Sequence, residues 1–379
     1  MTQGALSIQR HFAGLPDPRR RHGQLHRLLD VIAIALCAVI AGSNTWQEVE
    51  TFARHRRDWL ARFLALPNGV PSHDTFERVF DRLDPLALQR CLLSWLASAC
   101  GTLGAGHIAI DGKTARRSGS PARGIAALHL VSAWATEHSL TLGQVATEEK
   151  SNEIAAIPRL LELLDLEGAL VTIDAMGCQT AIAAGIVAGK GDYVLTVKAN
   201  QQHLHEDVVS CLCAAMDDEV DRRETHEYEE EKGHGRIERR CITILRDPEG
   251  VRGRERWANL KVVGSCYAER TAGGKTSEEI RFFIGSRDMT AKEYGEVIRG
   301  HWQIENGLHW SLDVTFREDD SRVQKRNGGT NFSLLRKVAL SLLKRHPSEN
   351  SINRKRYAAA LDTSFLEEIL TSSNKLGDV

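Results

Sequence analysis

The sequence predicts an α/β protein with a mixed sheet of five strands, flanking helices and a helical module before the sheet. Strand patterns with short connections follow one another between residues 107 and 149. Strands and helices then alternate between residues 152 and 199, as they do in parallel β-α-β units. Because the first hundred residues instead have helical periodicity, we predict that they form a separate module.

The helical module contains the longest apolar run of the chain, residues 28–41. This run of 14 residues includes an aspartate and is shorter than the roughly 18–20 residues that span a bilayer. It follows 27 mostly polar residues, which is late for a signal peptide. We therefore predict a buried helix and no membrane association, and we place Trp46, Trp59 and Trp95 in the core of the module.

The predicted sheet starts with three strands that suit an antiparallel meander, at 107–111, 127–135 and 140–149. Two further strands, at 169–174 and 192–199, are each preceded by a helix, at 152–166 and 179–191. Between about 201 and 286 this alternation of strands and helices stops. We predict a β-rich insertion there, with hairpins that turn around the sequences KGHG and TAGGKT.

The core is predicted to resume after the insertion. Thr290 and Glu293 form a capping box that opens a helix over 290–313. The end of the chain is predicted to be a basic helical segment, because residues 321–360 hold ten Lys or Arg and one acid. The predicted domains are therefore 1–100, 101–320 with the insertion at 201–286, and 321–379.

Composition is typical of a globular intracellular protein. The 379 residues are 42% hydrophobic, which supports more than one core, and the formal net charge is −1. The eight cysteines include no C-x-x-C pair, so neither a zinc ribbon nor a disulfide framework is indicated. We expect reduced thiols and a cytoplasmic location. The charge excludes a globally basic nucleic-acid binder but leaves room for local basic surfaces.

Two of the predicted strands end in an acid. Asp111 follows the apolar residues of HIAIDGKT, and Asp174 has the matching place in ALVTIDAMGC, 63 residues later. If the two strands are neighbours, the carboxylates repel each other, and bound Mg²⁺ or Mn²⁺ would relieve the repulsion. Aspartates at strand ends also serve as turn or helix-cap residues. The spacing alone leaves these two roles equally open.

A third acid lies on the predicted helix 290–313. An apolar stripe runs along this helix, formed by Val297, Ile304, Leu308 and Leu312. Glu305 lies beside the stripe, where a helix packed on the sheet would direct it toward the aspartates. Taken alone, the position favours a solvent-facing residue.

Nine segments, in order, resemble a known family. The chain is similar to DDE-type transposases of bacterial insertion sequences, in the H-repeat-associated branch, over nearly its whole length. The segments are FAGLPDPRR, PNGVPSHDTFERVF, AIDGKT, LHLVSAWA, EKSNEI, TIDAMGCQ, GDYVLTVKANQ, KGHGRIE, and RGHWQIENGLHWSLDV with FREDDSR. Such an ordered series is highly specific.

The resemblance implies an RNase H-like fold, in which the first and fourth strands pair at the centre of the sheet. It implies a catalytic triad of Asp111, Asp174 and Glu305 that holds Mg²⁺ or Mn²⁺, with two ions expected. The implied activity is DNA strand cleavage and strand transfer at insertion-sequence ends. The resemblance also implies that the helical module 1–100 is a transposase-associated domain that binds DNA. Joining two such ends in one complex implies at least a homodimer on the DNA.

One departure from the wider group of related transposases concerns the glutamate. That group has Tyr, Arg and Lys at −7, −4 and +7, where this chain has Ile298, His301 and Leu312. Phosphate contacts are therefore expected from other residues. The predicted DNA-binding residues are Lys113, Lys198 and Asn200 beside Gln201 at the sheet edge, His234 and Arg236 in the KGHG hairpin, Arg299, His301 and His309 around Glu305, and Lys325, Arg326 and Lys337 in the basic segment.

Two other functions stay open from the sequence. The chain could be a DNA-binding regulator, encoded by the element, that has lost catalysis. It could also be a zinc-dependent hydrolase that uses His301 and His309. All three acids of the triad are present, which disfavours the regulator, and no H-E-x-x-H pattern supports zinc.

Overall fold

The computed structural model describes residues 3–100, 106–120, 122, 124–147, 153–217, 222–233 and 236–371. The chain divides into two compact units. The first unit consists of Met1–Gly104, Gly112–Asn152 and Glu305–Val379, and the second of Ala105–Asp111 and Glu153–Ile304. The boundaries of these two units differ from those of the predicted domains 1–100, 101–320 and 321–379. The assignment of functions to those three segments stays a prediction.

The first unit is mainly helical. Its N-terminal helices are α1 (Gln3–Phe12), α2 (Leu28–Ile40), α3 (Trp46–His55), α4 (Arg57–Leu60), α5 (His73–Phe80) and α6 (Pro85–Cys100). Helix α2 is buried from Asp30 to Ile40, which confirms the predicted buried helix. The one acid in this stretch is satisfied, since the Asp30 carboxylate accepts a hydrogen bond from the backbone N–H of Leu66 at 3.0 Å.

Aromatic side chains join these helices to the C-terminal part of the same unit. The ring of Trp46 stacks on Phe80 at 4.8 Å between centroids and meets the edge of Phe332 at 4.5 Å. Trp59 and Trp95 are also buried, so the three tryptophans are core residues as predicted. Such aromatic pairs add about 0.5–1.5 kcal/mol each to the burial of their surface.

The C-terminal helices of the first unit are α11 (Trp310–Val314), α12 (Gly328–Arg345), α13 (Ile352–Leu361) and α14 (Thr363–Thr371). Helix α12 is buried on nearly every side, although it contains four of the ten basic residues counted at 321–360. Part of the predicted basic segment is therefore an internal helix.

The sheet strands of the first unit are β2 (His129–Ala135) and β3 (Leu140–Thr147), which pair antiparallel as predicted. The last residues of β1 (His107–Thr114) lie on the other side of β2. Directly after β1, the backbone N–H of Ala115 donates to the carbonyl of Leu128 at 2.9 Å. The strand order within this unit is therefore β3-β2-β1.

The second unit contains the start of β1 and the parallel strands β4 (Leu170–Ile173) and β5 (Asp192–Val197), with helices α7 (Glu153–Leu161), α8 (Thr180–Ala188) and α9 (Gln202–Asp217). Strand β1 pairs with β4 in parallel, from His107 opposite Leu170 to Ile110 opposite Ile173. The predicted pairing of the first and fourth strands is thus confirmed, and with it the RNase H-like fold class.

The predicted β-rich insertion extends this same sheet. It comprises β6 (Arg223–Glu227), β7 (Glu231–Gly233), β8 (Arg236–Arg246), β9 (Val262–Ala272) and β10 (Lys275–Gly285). Because β10 pairs antiparallel with β5, the strand order within the unit is β1-β4-β5-β10-β9-β8-β6, with β7 on β8. The predicted turn in TAGGKT is a two-residue hairpin. Gly273 and Gly274 both have positive φ there, as such a turn requires.

Helix α10 (Ala291–Gln303) packs on the insertion strands of the second unit. The predicted capping box is confirmed, because Thr290 accepts from the N–H of Glu293 at 3.2 Å and Glu293 accepts from the N–H of Thr290 at 2.7 Å. Tyr294 stacks on Phe283 with centroids 5.1 Å apart. A π-helical turn, Ile304–His309, follows α10 before α11 begins, so the predicted helix 290–313 is not regular throughout.

Candidate active site

Asp111 and Asp174 occupy matching places on paired strands. Asp111 directly follows Ile110 on β1, and Asp174 directly follows Ile173, its partner residue on β4. Burial raises the pKa of Asp174, and the charges of Asp111 and Glu153 raise it further. The two predicted aspartates therefore lie close enough for their charges to interact. Asp174 directly follows β4, and Asp111 directly follows the part of β1 that pairs with β4. The predicted end of the first strand at residue 111 is wrong, because β1 continues to Thr114.

Backbone amides hold the carboxylate of Asp174. Its Oδ1 accepts from the N–H of Met176 at 3.1 Å and from that of Gly177 at 3.4 Å, so the side chain caps a 3₁₀ turn. A Cβ on Gly177 would lie 2.3 Å from the Ile173 side chain, so only glycine lets this turn pack on the strand. Asp174 therefore has the helix-cap role that the sequence left open, and it also directly follows strand β4.

Asn200 and Gln201 brace the chain that follows Asp174. The Asn200 amide donates to the carbonyl of Ala175 at 3.0 Å, and the Gln201 amide donates to that of Cys178 at 2.9 Å. Cys178 is fully buried. Lys198 is exposed at the end of β5. The structure therefore gives Asn200 a positioning contact, and its predicted contact with DNA stays a prediction.

Glu153 is a site residue that the sequence reasoning missed. It is the first residue of α7, it is 4% exposed, and its charge acts on Asp174. The segment EKSNEI contributed to the family resemblance, but periodicity gave no reason to place this particular acid beside the aspartates. Its burial in the structure is what marks it, because Glu is almost never buried without a role or a partner.

His301 has a structural partner in the second unit. The Thr172 hydroxyl lies 2.9 Å from Nδ1 of His301 and 2.7 Å from Nε2 of His107. Burial lowers the pKa of His107 to about 3, and the nearby His301 adds to this effect. Through Thr172, the two histidines join β1, β4 and α10. The predicted contact of His301 with DNA, and the alternative of zinc binding by His301, both stay predictions.

The neutral state of His107 makes stability depend on pH. Its folded-state pKa lies below the ordinary value of 6.5, so below pH ~6.5 the unfolded chain takes up a proton that the folded protein does not. We expect the free energy of unfolding to fall by about 2 kcal/mol between pH 8 and pH 5 from this residue alone. Denaturant titrations of His107→Gln should lack this part of the pH dependence. The exposed His203 gives the control His203→Gln, whose profile should match the unmodified protein. Coincident profiles for both variants would contradict the assignment.

Glu305 lies in the π-helical turn and is exposed, while Ile304, Leu308 and Leu312 are fully buried as the predicted apolar stripe requires. Single π turns inside helices are frequent at functional sites. Glu305 belongs to the first unit, whereas Asp111 and Asp174 belong to the second. The convergence of the three carboxylates stays a prediction.

Lys344 lies beside the π-helical turn. From the sequence alone, it is only one of the ten basic residues of the segment 321–360. A Cβ on Gly307 would lie 3.4 Å from the Lys344 ammonium, so the absence of a side chain there allows the approach. The ammonium is 5.7 Å from the centre of the Trp134 ring. Burial lowers the pKa of Lys344.

Two of the predicted DNA-binding lysines are engaged inside the first unit. Lys337 is 1% exposed and donates to the Ser132 hydroxyl and the Gln144 carbonyl oxygen, both at 2.7 Å. The prediction that Lys337 contacts DNA phosphate is wrong for this structure, because phosphate cannot reach a buried ammonium with two internal partners. Lys113 lies among three carboxylates, the nearest being Asp313 at 2.7 Å, so its charge is already neutralised.

The remaining predicted DNA contacts are on the surface or outside the described residues. Lys325 and Arg326 are exposed, and Lys325 pairs with Glu77 at 2.7 Å. Arg299 forms a bidentate pair with Glu231 at 2.5 and 2.9 Å. Arg236 is exposed and His309 is half-buried, whereas His234 lies outside the described residues. These contacts stay predictions.

Among the residues that the structure describes, no group of three or more His, Cys, Asp or Glu side chains is placed to hold one metal ion. No helix in that part of the chain is long and apolar enough to cross a bilayer.

The sheet, with Asp111 and Asp174 directly after the paired stretch of β1 and β4, places the protein in the class of RNase H-like proteins. Comparison with known proteins gives the particular family. The model described as Transposase DDE domain matches residues 102–342, and the model described as DDE_Tnp_1-associated matches residues 9–96. The chain belongs to the DDE transposase family.

Curated relatives confirm the H-repeat-associated branch. The chain is 39% identical to the putative transposase YncI of Escherichia coli O157:H7, over 98% of this chain and 96% of the relative. It is 35% identical to the H repeat-associated putative transposase YhhI of Escherichia coli strain K12, over 97% and 98%. Among solved structures, a piggyBac transposase synaptic complex with hairpin DNA aligns at a TM-score of 0.44 and 10% identity, over 100% of this chain and 83% of that chain.

Proposed function

We propose that this protein cleaves DNA at the ends of an insertion sequence and transfers the strands to target DNA. Asp111, Asp174 and Glu305 are the proposed catalytic residues. The observation that carries the proposal is the pairing of β1 with β4, which brings Asp111 and Asp174 to the end of the paired stretch, where their charges interact. Two neighbouring acids at a partly buried sheet edge are unfavourable without a cation.

The residues present fit a hard divalent cation. Carboxylate oxygens are the ligands that Mg²⁺ and Mn²⁺ prefer, and burial together with the charges of Asp111 and Glu153 raises the pKa of Asp174, so that a cation would favour its ionised form. Asp111, Asp174 and Glu305 would hold the ions, and two are proposed. When bound, such ions activate a water or a terminal 3′-hydroxyl and stabilise the leaving oxygen.

The chain itself supplies position and charge for this reaction. The amides of Met176 and Gly177 fix one oxygen of Asp174, and Asn200 and Gln201 fix the turn behind it. No side chain is proposed to form a covalent bond with DNA. Exposed cations, including Lys198 and Arg236, would hold phosphates and fix the register of the duplex. The complex with two DNA ends would contain at least two copies of the chain, in the cytoplasm.

The proposal is tested by cleavage of duplex DNA that carries the element ends. The unmodified protein is incubated with Mg²⁺, Mn²⁺, Zn²⁺ or a chelator, beside variants of the triad. Cleavage with Mg²⁺ or Mn²⁺ and none with chelator supports the transposase. Binding without cleavage under every condition favours the regulator, and activity that needs Zn²⁺ together with His301 and His309 favours the hydrolase.

The exposed end of the basic segment is expected to contribute to DNA affinity through its charge. Arg326→Gln should lower the slope of log affinity against log salt by about one unit, because one phosphate contact is lost. Lys337→Gln serves as the matched control. It should leave the slope unchanged and lower the melting temperature instead, since Lys337 is buried. Binding titrations at four or more salt concentrations measure the slope, and equal slopes for Arg326→Gln and the unmodified protein would show that Arg326 is a solvated residue.

A further inference from the structure

We propose that Lys113 is a positioning residue, which fixes the chain after Glu305 to the end of the strand that carries Asp111. The inference rests on the proposed function, since it concerns how the first and third acids of the triad are held in place. All of the contacts that support it lie within the first unit.

The ammonium of Lys113 contacts three carboxylates of one short segment. It lies 2.7 Å from Asp313, 3.3 Å from Glu318 and 3.4 Å from Asp319. The Lys113 side chain is 10% exposed and that of Glu318 is 2% exposed. Removing one partner of the shielded pair between Lys113 and Glu318 would leave the other charge buried and unmatched, which is strongly unfavourable.

A second row of contacts joins the same two segments. The backbone N–H of Arg116 donates to Asp319 at 3.1 Å, and its side chain lies 3.3 Å from the same carboxylate. Arg117 pairs with Asp320 at 3.2 Å. The turn that follows β1 is therefore attached to the turn Glu318–Asp320 through both backbone and side chains.

The acidic turn is itself anchored to α12 and holds a strained residue. Glu318 accepts a hydrogen bond from Ser333 at 2.6 Å and lies 3.9 Å from Arg336. Arg317, just before the turn, has a positive φ of 51°. A non-glycine residue in this region is strained and persists only where the surrounding contacts fix it. The turn is thus held rigidly on one side by α12 and on the other by Lys113.

The two ends of this connection are close to the triad along the chain. Lys113 follows Asp111 by two residues on β1, and alternate residues of a strand point to the same face. Asp313 follows Glu305 by eight residues, across the π turn and α11. Fixing Lys113 to Asp313 and Glu318 therefore limits the freedom of both acids, and it explains why the acids of FREDDSR are present.

The test compares Lys113→Met, which keeps most of the stem but removes the charge, with Lys113→Arg, which keeps the charge. The matched control is Lys190→Met, because Lys190 forms an exposed pair with Glu167 at 3.2 Å. Mn²⁺ affinity is measured by titration of the folded protein, followed by electron paramagnetic resonance of free Mn²⁺. Cleavage rate against Mn²⁺ concentration, DNA affinity and melting temperature are measured in parallel.

We expect Lys113→Met to weaken Mn²⁺ binding by about tenfold or more, as losses of supporting contacts around metal ligands do. DNA affinity should be unchanged, Lys113→Arg should recover most of the Mn²⁺ affinity, and Lys190→Met should match the unmodified protein. A lowered melting temperature with unchanged Mn²⁺ affinity would overturn the proposal, because it would show a purely structural ion pair.

Two further outcomes separate this proposal from the proposed function. If the unmodified protein binds Mn²⁺ but does not cleave DNA, the proposed function fails while the Mn²⁺ titrations still decide the role of Lys113. If the unmodified protein binds no Mn²⁺, the positioning role is overturned as well. If Lys113→Met does not fold, Asp319→Asn is the second variant. It removes a partner of Lys113 that is more exposed than Glu318, and it is also expected to weaken Mn²⁺ binding.

Discussion

Asp174→Asn is expected to reduce cleavage of element-end DNA by about 10³-fold or more, while DNA affinity stays within about twofold. The amide keeps the size of the side chain and can still accept from Met176 and Gly177. It removes the negative charge that would hold the cation, which supplies several kcal/mol of stabilisation to the transition state. Single-turnover cleavage and a parallel binding titration measure the two quantities.

Asp192→Asn is the matched control for that experiment. Asp192 lies at the start of β5, where it accepts from Ser286 at 2.7 Å and pairs with Arg287 at 2.8 Å. Loss of the Asp192 carboxylate should lower the stability of the protein more than it lowers the cleavage rate of the folded protein. Undiminished cleavage by Asp174→Asn would remove Asp174 from the active site, and equal losses from both variants would point to a folding defect.

Glu318→Gln is expected to lower the free energy of unfolding by about 3–5 kcal/mol, which corresponds to a melting temperature lower by about 10 °C. Glu318 is buried, and although burial raises its pKa, the charges of Lys113, Lys337 and Arg336 outweigh this and lower it. The amide would still bond to Ser333 but would leave buried cations without a matching charge. Thermal unfolding followed by circular dichroism measures the loss.

Two comparisons make this result specific. Glu249→Gln removes an acid from an exposed pair with Arg222 at 3.5 Å, and should change stability by less than about 0.5 kcal/mol. The double variant Glu318→Gln with Arg336→Met should recover part of the stability, because it also removes one of the unmatched cations. A melting temperature for Glu318→Gln equal to that of Glu249→Gln would show that the buried charges are not coupled.

The sheet could be predicted because its signals are local. Apolar alternation located β1 and β4, and Asp174 marked the end of β4, whereas β1 continues past Asp111 to Thr114. The capping box at Thr290 fixed the start of α10 to within one residue. The pairing of β1 with β4 came from the family resemblance, since no local pattern shows which strands are neighbours.

Other features depend on contacts that a linear pattern does not contain. The basic residues of α12 looked like a surface, but Lys337 finds Ser132 and Gln144 on strands that are 205 and 193 residues away. The pairing of β10 with β5 makes the insertion part of the sheet, although a separate β element fits the same pattern. The burial of Glu153 beside Asp174 likewise has no periodic signal.

The π-helical turn at Ile304–His309 also changes which residues after Glu305 point in the same direction as Glu305. In a regular α-helix, residues seven positions apart point nearly the same way. One additional residue within the turn rotates everything beyond it by about 100°, so Leu312, at +7, is carried into the core. By the same count Asp313, at +8, has the helical position that +7 would have in a regular helix, and Lys113 from β1 lies 2.7 Å from Asp313. A count of seven residues along this helix therefore reaches the buried Leu312, where related transposases have lysine.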